Sequence, residues 1–155
     1  IGNSSFIIPS LLTELGILND TRFNVVEDLI SGRGLSKIYS YFANAKKTSE
    51  QIVATYNHDQ FSQKSINIFL VAFSQILSEL ALIYMPGKGI YIMGSLMRNL
   101  HKFLDTEIFM NNFLINRKSM HADILAQIPI ALIENEMASL HGSLNFINKL
   151  NQNVN

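Results

Sequence analysis

The feature that most constrains how this chain can fold is a long apolar stretch that follows Asp59 and ends near Tyr84. Apolar side chains recur in it at helical spacing and on several sides, as Phe69, Phe73 and Ile76 illustrate. The spacing predicts one long helix with Asp59 as its N-cap. A helix that is apolar on most sides belongs at the centre of a domain, so we expect the other elements to pack around it.

This stretch is not expected to cross a membrane. A membrane-spanning helix needs about 20 mostly apolar residues with few or no charges. Polar residues interrupt the most apolar part, and they are Asn67, Ser74, Gln75, Ser78 and Glu79. We therefore interpret it as a buried helix of a soluble domain.

The composition indicates a single folded domain over residues 1–155. Hydrophobic residues make up 48% of the chain and charged residues 15%, which excludes the composition of a disordered chain. The formal net charge is zero, so no attraction to nucleic acid or to an acidic membrane is expected. The absence of cysteine excludes disulfides and cysteine-ligated zinc and is consistent with a cytoplasmic location.

The first residues, 1–5, lack both an initiator methionine and the basic segment of a signal peptide. We therefore expect the natural protein to be longer.

Before the central helix, the sequence predicts short helices separated by breaks. Residues up to Ser10 are expected to be extended, and Ser31–Gly34 is expected to be a loop with free amides between two helices. Thr48 and Gln51 form a capping-box pattern. The helices predicted in this part are 11–18, 22–30, 35–45 and one from Thr48 to about Tyr56.

After the central helix, two short apolar runs, 89–94 and 128–133, predict buried strands. Helices are predicted at 96–104, from the Asp105 cap to Leu114, and at 137–150, followed by a frayed polar tail. The fold class is therefore α/β, helix-rich and with few strands. Two strands do not make a stable sheet, so either helices carry the fold or further strands lie upstream.

Few residues point to chemistry on their own. The four histidines are scattered, no phosphate-binding P-loop is present, and Pro86–Gly89 is interpreted as a simple turn. The acidic residues of 134–136 follow a predicted strand and are interpreted as a solvated loop. Gly94–Ser95, at a strand-to-helix junction, and Ser31–Gly34 could each admit a nucleotide phosphate, or each could be a plain tight turn.

Three segments, in this order, resemble the bacterial glucokinase family. Ile30–Leu35 with Tyr39 resembles the family's Ser-Gly-Pro-Gly-Leu stretch, and 89–95 resembles its adenosine motif, a hydrophobic strand ending in Gly-Gly. Residues 128–143 resemble its terminal strand and closing helix. The likeness covers nearly the whole chain and rests on the order and spacing of the three segments.

The resemblance implies a partial actin-like ATPase (ribonuclease H-like) fold, with this chain as the distal part of the C-terminal, nucleotide-side domain. It implies transfer of the γ-phosphoryl group of ATP to glucose with Mg²⁺ on the phosphates, in the parent protein and not in this chain alone. The general base would be an aspartate of the N-terminal domain, which this chain lacks. The resemblance also predicts a homodimer, because homodimers are common in the family. The residues that match nucleotide-binding positions are Ser31, Gly32, Arg33, Gly34, Gly94, Ser95 and Gly142, and Asn3 falls in the sugar-binding segment.

Three departures from the family pattern leave other functional interpretations open. Ser95 replaces the second glycine of the adenosine motif, Arg33 replaces a proline, and Asn3 falls where the family has histidine. These changes are also compatible with a non-catalytic, sugar-kinase-like regulatory protein. A helical interaction domain is a further alternative, favoured if Gly94 does not end a buried strand beside Ser31.

Overall fold

The computed structural model describes residue 3, residue 5, residues 8–18 and residues 20–152. The helices within them are α1 (Ile8–Glu14), α2 (Gly32–Ala43), α3 (Ser49–Ala54), α4 (Gln60–Tyr84), α5 (Ser95–Leu100), α6 (Thr106–Leu114), α7 (Ser119–Ala126) and α8 (Ala138–Gln152). The strands are β1 (Ile90–Ile92) and β2 (Ile130–Leu132). A helix-rich α/β chain is thereby confirmed.

Helix α4 is the predicted central helix. The Asp59 side chain accepts a hydrogen bond from the Phe61 amide and caps the helix as predicted. α2 packs against the N-terminal half of α4, whereas α6 and α7 pack against the C-terminal half of α4. Its apolar side chains accordingly lie in two core clusters, with Phe73 in contact with both.

The high hydropathy of α4 is explained by its place in the core. By length and composition alone it could cross a membrane, with a mean hydropathy of 1.9 in its most apolar window. Since 56% of that window is buried inside the chain, a core helix explains the same composition.

Two expectations for the N-terminal part are wrong. The predicted helix over 22–30 is a single 3₁₀ turn at Val26–Asp28, because the Asp28 carboxylate accepts hydrogen bonds from the amides of Asn24 and Val25 and so competes with helical bonding. The expected extended segment before Ser10 instead enters α1 at Ile8. Pro9 is tolerated there because first-turn amides have no helical partner. Phe6 and Ile7 lie outside the described residues.

The two strands form a parallel pair, with Ile90 opposite Ile130 and Ile92 opposite Leu132. The chain crosses between them through α5, α6 and α7, and α7 was not predicted from the sequence. Both strands were expected to be buried on both faces, which is wrong. Tyr91, opposite Ala131, is 63% exposed because nothing in the described structure covers that face of the sheet.

Helix α8 packs little against the rest of the described structure. Every residue of 139–150 is exposed, including its large apolar side chains, and the helix extends two residues beyond its predicted end. Residues 153–155 of the expected polar tail lie outside the described residues. The apolar side chains of α8 are therefore available to contact other protein surfaces.

Candidate functional site: a cationic cleft between α2 and α3

The segment Ser31–Gly34 is not the interhelical loop that was expected. Ser31 is the N-cap of α2, and its hydroxyl accepts a hydrogen bond from the Gly34 amide at 3.0 Å and donates one to the Glu27 carbonyl at 2.6 Å. A helix start leaves its first amides without helical partners. The amides of Gly32 and Arg33 correspondingly have no acceptor among the described residues.

A cleft of about 780 Å³ opens beside this helix start. One wall is a single face of α2, because its residues follow helical spacing at i, i+3, i+4 and i+7. The opposite wall is the segment that leads into α3. The residues that line this α2–α3 cleft are Ser31, Gly32, Arg33, Ser36, Lys37, Ser40, Lys46, Lys47, Thr48, Ser49 and Gln51.

The cleft is lined mainly by basic and hydroxyl side chains, and none of the carboxylates that the structure describes lines it. Three of its four cations are held by carboxylates that lie outside the lining. Arg33 pairs with Glu27 at 2.6 Å, Lys37 with Asp28, and Lys47 with Asp59 at 2.7 Å. The exposed Lys46 has no acidic partner among the described residues.

Asp59 anchors one end of the cleft to α4. Its carboxylate accepts hydrogen bonds from Lys47, from the Tyr39 hydroxyl at 2.9 Å and from the Ser62 hydroxyl at 2.9 Å. The hydrogen bond from Lys47 is the largest influence on the pKa of Asp59 and, with the others, lowers it well below its usual value. The same bond raises the pKa of Lys47. Lys47 is therefore a fixed cation at all physiological pH values.

Asp28 pairs with Lys37, which lies on the α2 wall of the cleft. Burial acts to raise the pKa of Asp28, but hydrogen bonds from Lys37 and from the amides of Asn24 and Val25 outweigh it, so the pKa is lowered. The Lys37 ammonium also donates to the carbonyl of Arg22 at 3.0 Å. The position of Lys37 along the cleft is thus determined by the Asp28 carboxylate, which lies in the 3₁₀ turn, and by the Arg22 carbonyl before it.

Gly94 and Ser95 form a second glycine site. As predicted, Gly94 follows a strand and precedes a helix: it is the N-cap of α5, with φ +124° and ψ 150°, a conformation that favours glycine. A side chain added at Gly94 would meet nothing within 4 Å, so its backbone is open to close approach. Gly94 and Ser95 do not line the α2–α3 cleft, and the strand that Gly94 follows is only half-buried.

The remaining predicted site residues are not brought to the cleft. Gly142 lies on the exposed face of α8, where a Cβ would meet no atom within 4 Å. Asn3 is exposed in a turn, and both of its neighbours lie outside the described residues. Of the predicted nucleotide-binding set, Ser31, Gly32 and Arg33 therefore share one cleft, with Gly34 packed behind them against the Leu29 carbonyl.

The described residues contain no group of three or more carboxylate or histidine side chains that could hold a metal ion. The α2–α3 cleft fits an anionic ligand, because the amides of Gly32 and Arg33 and the ammonium of Lys46 have no acceptor among the described residues.

The sequence interpretation missed the basic and hydroxyl residues of the cleft. Ser36, Lys37 and Ser40 share helical spacing with Arg33, which was a usable signal once α2 is taken to start at Gly32. The adjacent pair Lys46–Lys47 carried no such signal, because its place opposite α2 depends on how the chain turns into α3.

These features define a helix-rich α/β chain with a cationic cleft at a glycine-containing helix start, an arrangement suited to anionic ligands. The family model for glucokinase matches residues 15–150, so the chain belongs to the glucokinase family. A glucokinase of Chelativorans sp. (strain BNC1) is 24% identical over 124 residues, an alignment that covers 75% of this chain and 36% of that relative. A glucokinase of Nostoc sp. (strain PCC 7120) is 25% identical over 146 residues, covering 76% of this chain and 42% of the relative. The chain thus spans less than half the length of these curated relatives.

Proposed function

We propose that this chain is the distal, nucleotide-side part of a cytoplasmic kinase that phosphorylates glucose with ATP. The observation that carries the proposal is the α2–α3 cleft, where a segment of the family pattern, Ser31–Gly34, combines free amides with cationic side chains. The match to the glucokinase family over 15–150 supplies the reaction class. The reaction transfers the γ-phosphoryl group to the 6-hydroxyl of glucose, whose proton leaves, and releases ADP.

Within this reaction, the cleft would hold the phosphates of ATP. The amides of Gly32 and Arg33 would donate to phosphate oxygens, while Arg33 and Lys46 would offset their negative charge. Phosphoryl transfer depends mainly on such positioning and charge stabilisation. Mg²⁺ would enter bound to the phosphates.

The Gly94–Ser95 junction is proposed to receive the adenosine part of ATP. The open space around Gly94 supports this, because a nucleotide could approach the backbone closely. Gly142 and Asn3 are proposed to approach the nucleotide and the sugar, respectively, only with the rest of the kinase in place. The 155 residues alone are not expected to transfer phosphate, since the general base is expected in the N-terminal domain.

The test is a coupled glucose phosphorylation assay on the full-length protein that carries this chain. We expect ATP-dependent formation of glucose 6-phosphate. The double substitution Arg33→Gln and Lys46→Gln should raise the KM for ATP by about tenfold, as expected for the loss of charged contacts, and leave the KM for glucose unchanged. Lys88→Gln, which removes an exposed lysine outside the cleft, is the matched control. Absence of activity with glucose and related hexoses would overturn the proposal.

A non-catalytic regulatory protein is the second candidate. It is favoured by Ser95, which begins α5 directly after Gly94 and adds a side chain where the family pattern has glycine, and by the Arg33–Glu27 pair. A full-length protein that binds glucose or ATP with no measurable transfer between them would support this candidate over the kinase.

A further inference from the structure

We infer that the ion pair between Arg98 and Glu136 is a tether that sets the direction of α8, and that Arg98 is thereby a positioning residue for the nucleotide. The Arg98 guanidinium lies 3.5 Å from the Glu136 carboxylate. The second part of this inference rests on the proposed function, in which Gly94 at the start of α5 and Gly142 in α8 both approach the nucleotide.

The anchored end of the tether is α5. Met97 and Leu100 are buried in the core cluster that surrounds the N-terminal half of α4, so the helix is fixed to the rest of the fold. The Arg98 amide donates a hydrogen bond to the Gly94 carbonyl at 3.1 Å, which places Arg98 one helical turn beyond the glycine junction. Only 20% of the Arg98 side chain is exposed, so its guanidinium is held close to α5.

The free end of the tether is the segment 134–150. Bonding to the sheet ends at Ile133, whose amide donates to the Ile92 carbonyl at 2.8 Å. Asn135 then begins the turn into α8, because its side chain accepts a hydrogen bond from the Met137 amide at 2.8 Å. This local bond fixes where the helix starts, but it does not fix the direction in which the helix runs from the sheet.

The Arg98–Glu136 pair is the one hydrogen bond or ion pair that joins 134–150 to any other part of the described chain. None of the described apolar side chains in this segment belongs to either core cluster. An exposed ion pair is weak, but here no packing competes with it. It is therefore sufficient to favour one direction of α8 over the others by about two- to fivefold.

The two ends of the tether lie beside two proposed nucleotide contacts. Arg98 is one turn from Gly94, and Glu136 immediately precedes the helix that carries Gly142. If α8 turns away from α5, Gly142 moves with it while Gly94 stays in place. A nucleotide that contacts both glycines would then lose one of its contacts. Arg98 thus acts on nucleotide affinity through α8 and does not need to touch the nucleotide.

The test measures the distance between α8 and the anchored part of the chain. The sequence contains no cysteine, so two exposed asparagines can be replaced to carry spin labels, Asn145→Cys on α8 and Asn111→Cys on α6. Double electron–electron resonance on the dilute 155-residue chain gives the distribution of the label-to-label distance. We expect one main distance, and its ratio to all other distances should fall about two- to fivefold in Glu136→Gln.

The variants separate charge pairing from packing. Because Glu136 is 78% exposed, Glu136→Gln should leave the melting temperature unchanged. Arg98→Gln should give the same redistribution of distances, and exchange of the two charges, Arg98→Glu with Glu136→Arg, should restore the main distance. Arg33→Gln breaks an exposed ion pair on α2 and is the matched control, which should change nothing.

Two results would overturn the tether. One is a distance distribution in Glu136→Gln that is identical to that of the labelled chain with the pair intact. The other is a dipolar signal between dilute chains that carry only the label at Asn145→Cys, since a second copy of the chain would then hold α8.

The kinetic consequence is measured in the full-length protein. Glu136→Gln should raise the KM for ATP by about two- to fivefold and leave kcat and the KM for glucose unchanged. The charge exchange of Arg98 and Glu136 should restore the KM for ATP. Lys88→Gln, which removes an exposed lysine elsewhere, is the control and should change none of these values.

The outcomes distinguish this inference from the proposed function. A redistribution of distances without a change in the KM for ATP would overturn the positioning role of Arg98, while the proposed function would stand. Absence of hexose phosphorylation would overturn the proposed function and the positioning role with it. The distance measurement would still decide whether the ion pair sets the direction of α8, because it does not depend on activity.

Discussion

Gly34 occupies a position where the preceding turn leaves no room for a side chain. A Cβ added there would lie 2.5 Å from the Leu29 carbonyl oxygen and 2.8 Å from that of Asp28. Because both atoms belong to the backbone, relief requires the turn and α2 to separate. We expect Gly34→Ala to lower the free energy of unfolding by about 1–3 kcal/mol, measured by urea denaturation.

Gly142→Ala is the matched control for this substitution. A Cβ at Gly142 meets nothing, and alanine favours an exposed helix interior by about 0.5–1 kcal/mol over glycine. We expect no loss of stability and a small gain in helix content. An equal loss in the two variants would contradict the steric explanation.

Asp59 should make the stability of the chain sensitive to acid. Its pKa is lowered by Lys47 and its other donors, so the stabilisation is fully present above the pKa of the unfolded chain, near 3.8. It is lost as the pH falls below that value toward the lower pKa of the folded state. Asp59→Asn keeps a good helix cap but loses the ion pair. We therefore expect lower stability at neutral pH and a shallower decline below about pH 4.

Asp105→Asn is the control for the acid response. Asp105 caps α6 through the amides of Glu107 and Ile108 and has no basic partner among the described residues. Chemical denaturation of both variants across the acid range gives the comparison. A decline in Asp59→Asn as steep as in the unmodified chain would refute the role given to Lys47.

At the scale of single residues, the sequence predicted the helix caps but not the distant side chains that also bond to them. Thr48, Asp59 and Asp105 all cap helices as predicted, because a cap is a bond between a side chain and amides two or three residues on. The bonds from Tyr39 and Lys47 to Asp59 join residues 20 and 12 positions apart. Such contacts depend on how α2 packs against α4, which local spacing does not specify.

At the scale of helices and strands, the buried serines of α4 differ in how much they contribute to the stability of the fold. Ser62 and Ser78 are both fully buried, but the Ser62 hydroxyl bonds to Thr55 at 2.8 Å and to Asp59 at 2.9 Å, whereas that of Ser78 has no partner among the described residues. We expect Ser62→Ala to cost about 1–2 kcal/mol of unfolding free energy. Ser78→Ala should be neutral or stabilise the chain by up to about 1 kcal/mol, since it removes an unsatisfied buried hydroxyl.

Thermal and urea unfolding of these two variants provides the measurement. Both substitutions replace a fully buried serine of one helix with alanine, so the main difference between them is the hydrogen bonding of the hydroxyl. A larger loss for Ser78→Ala than for Ser62→Ala would show that Ser78 has a partner in solution that the described contacts lack.

The elements that the sequence predicted well are those with strong local signals. α4 and α6 have capping aspartates and apolar periodicity. α7 begins at Ser119 after Lys118, which makes no side-chain cap, and among its residues only Leu125 is buried. It therefore left little pattern to detect. The burial of the strands could not be predicted either, because it depends on which layers cover the sheet.

At the scale of the whole molecule, the exposed apolar residues of α8 bear on the homodimer that the family resemblance predicts. Leu144 and Ile147 are 49% and 51% exposed. Exposed apolar surface of this kind favours association. We expect the chain to self-associate with rising concentration in sedimentation velocity. Leu144→Gln with Ile147→Gln should weaken that association.

The double variant should keep the melting temperature of the dilute chain, since neither side chain is buried in the fold. Asn145→Gln, on the same exposed helix, should leave the association unchanged. A chain that stays monomeric at all concentrations, or a double variant that associates as before, would remove α8 from the proposed contact.

The parallel pairing of β1 with β2 has a consequence for the order of events during folding. Ile90 and Ile130 meet only after the chain between them has looped back, whereas the helices form from contacts a few residues apart. Distant contacts form late because the entropy of loop closure is lost before they stabilise the chain. The two-stranded sheet should therefore be the last part of the molecule to assemble. In hydrogen exchange its amides, with those of the adjacent Gly94 junction, should open before those of the buried helix α4.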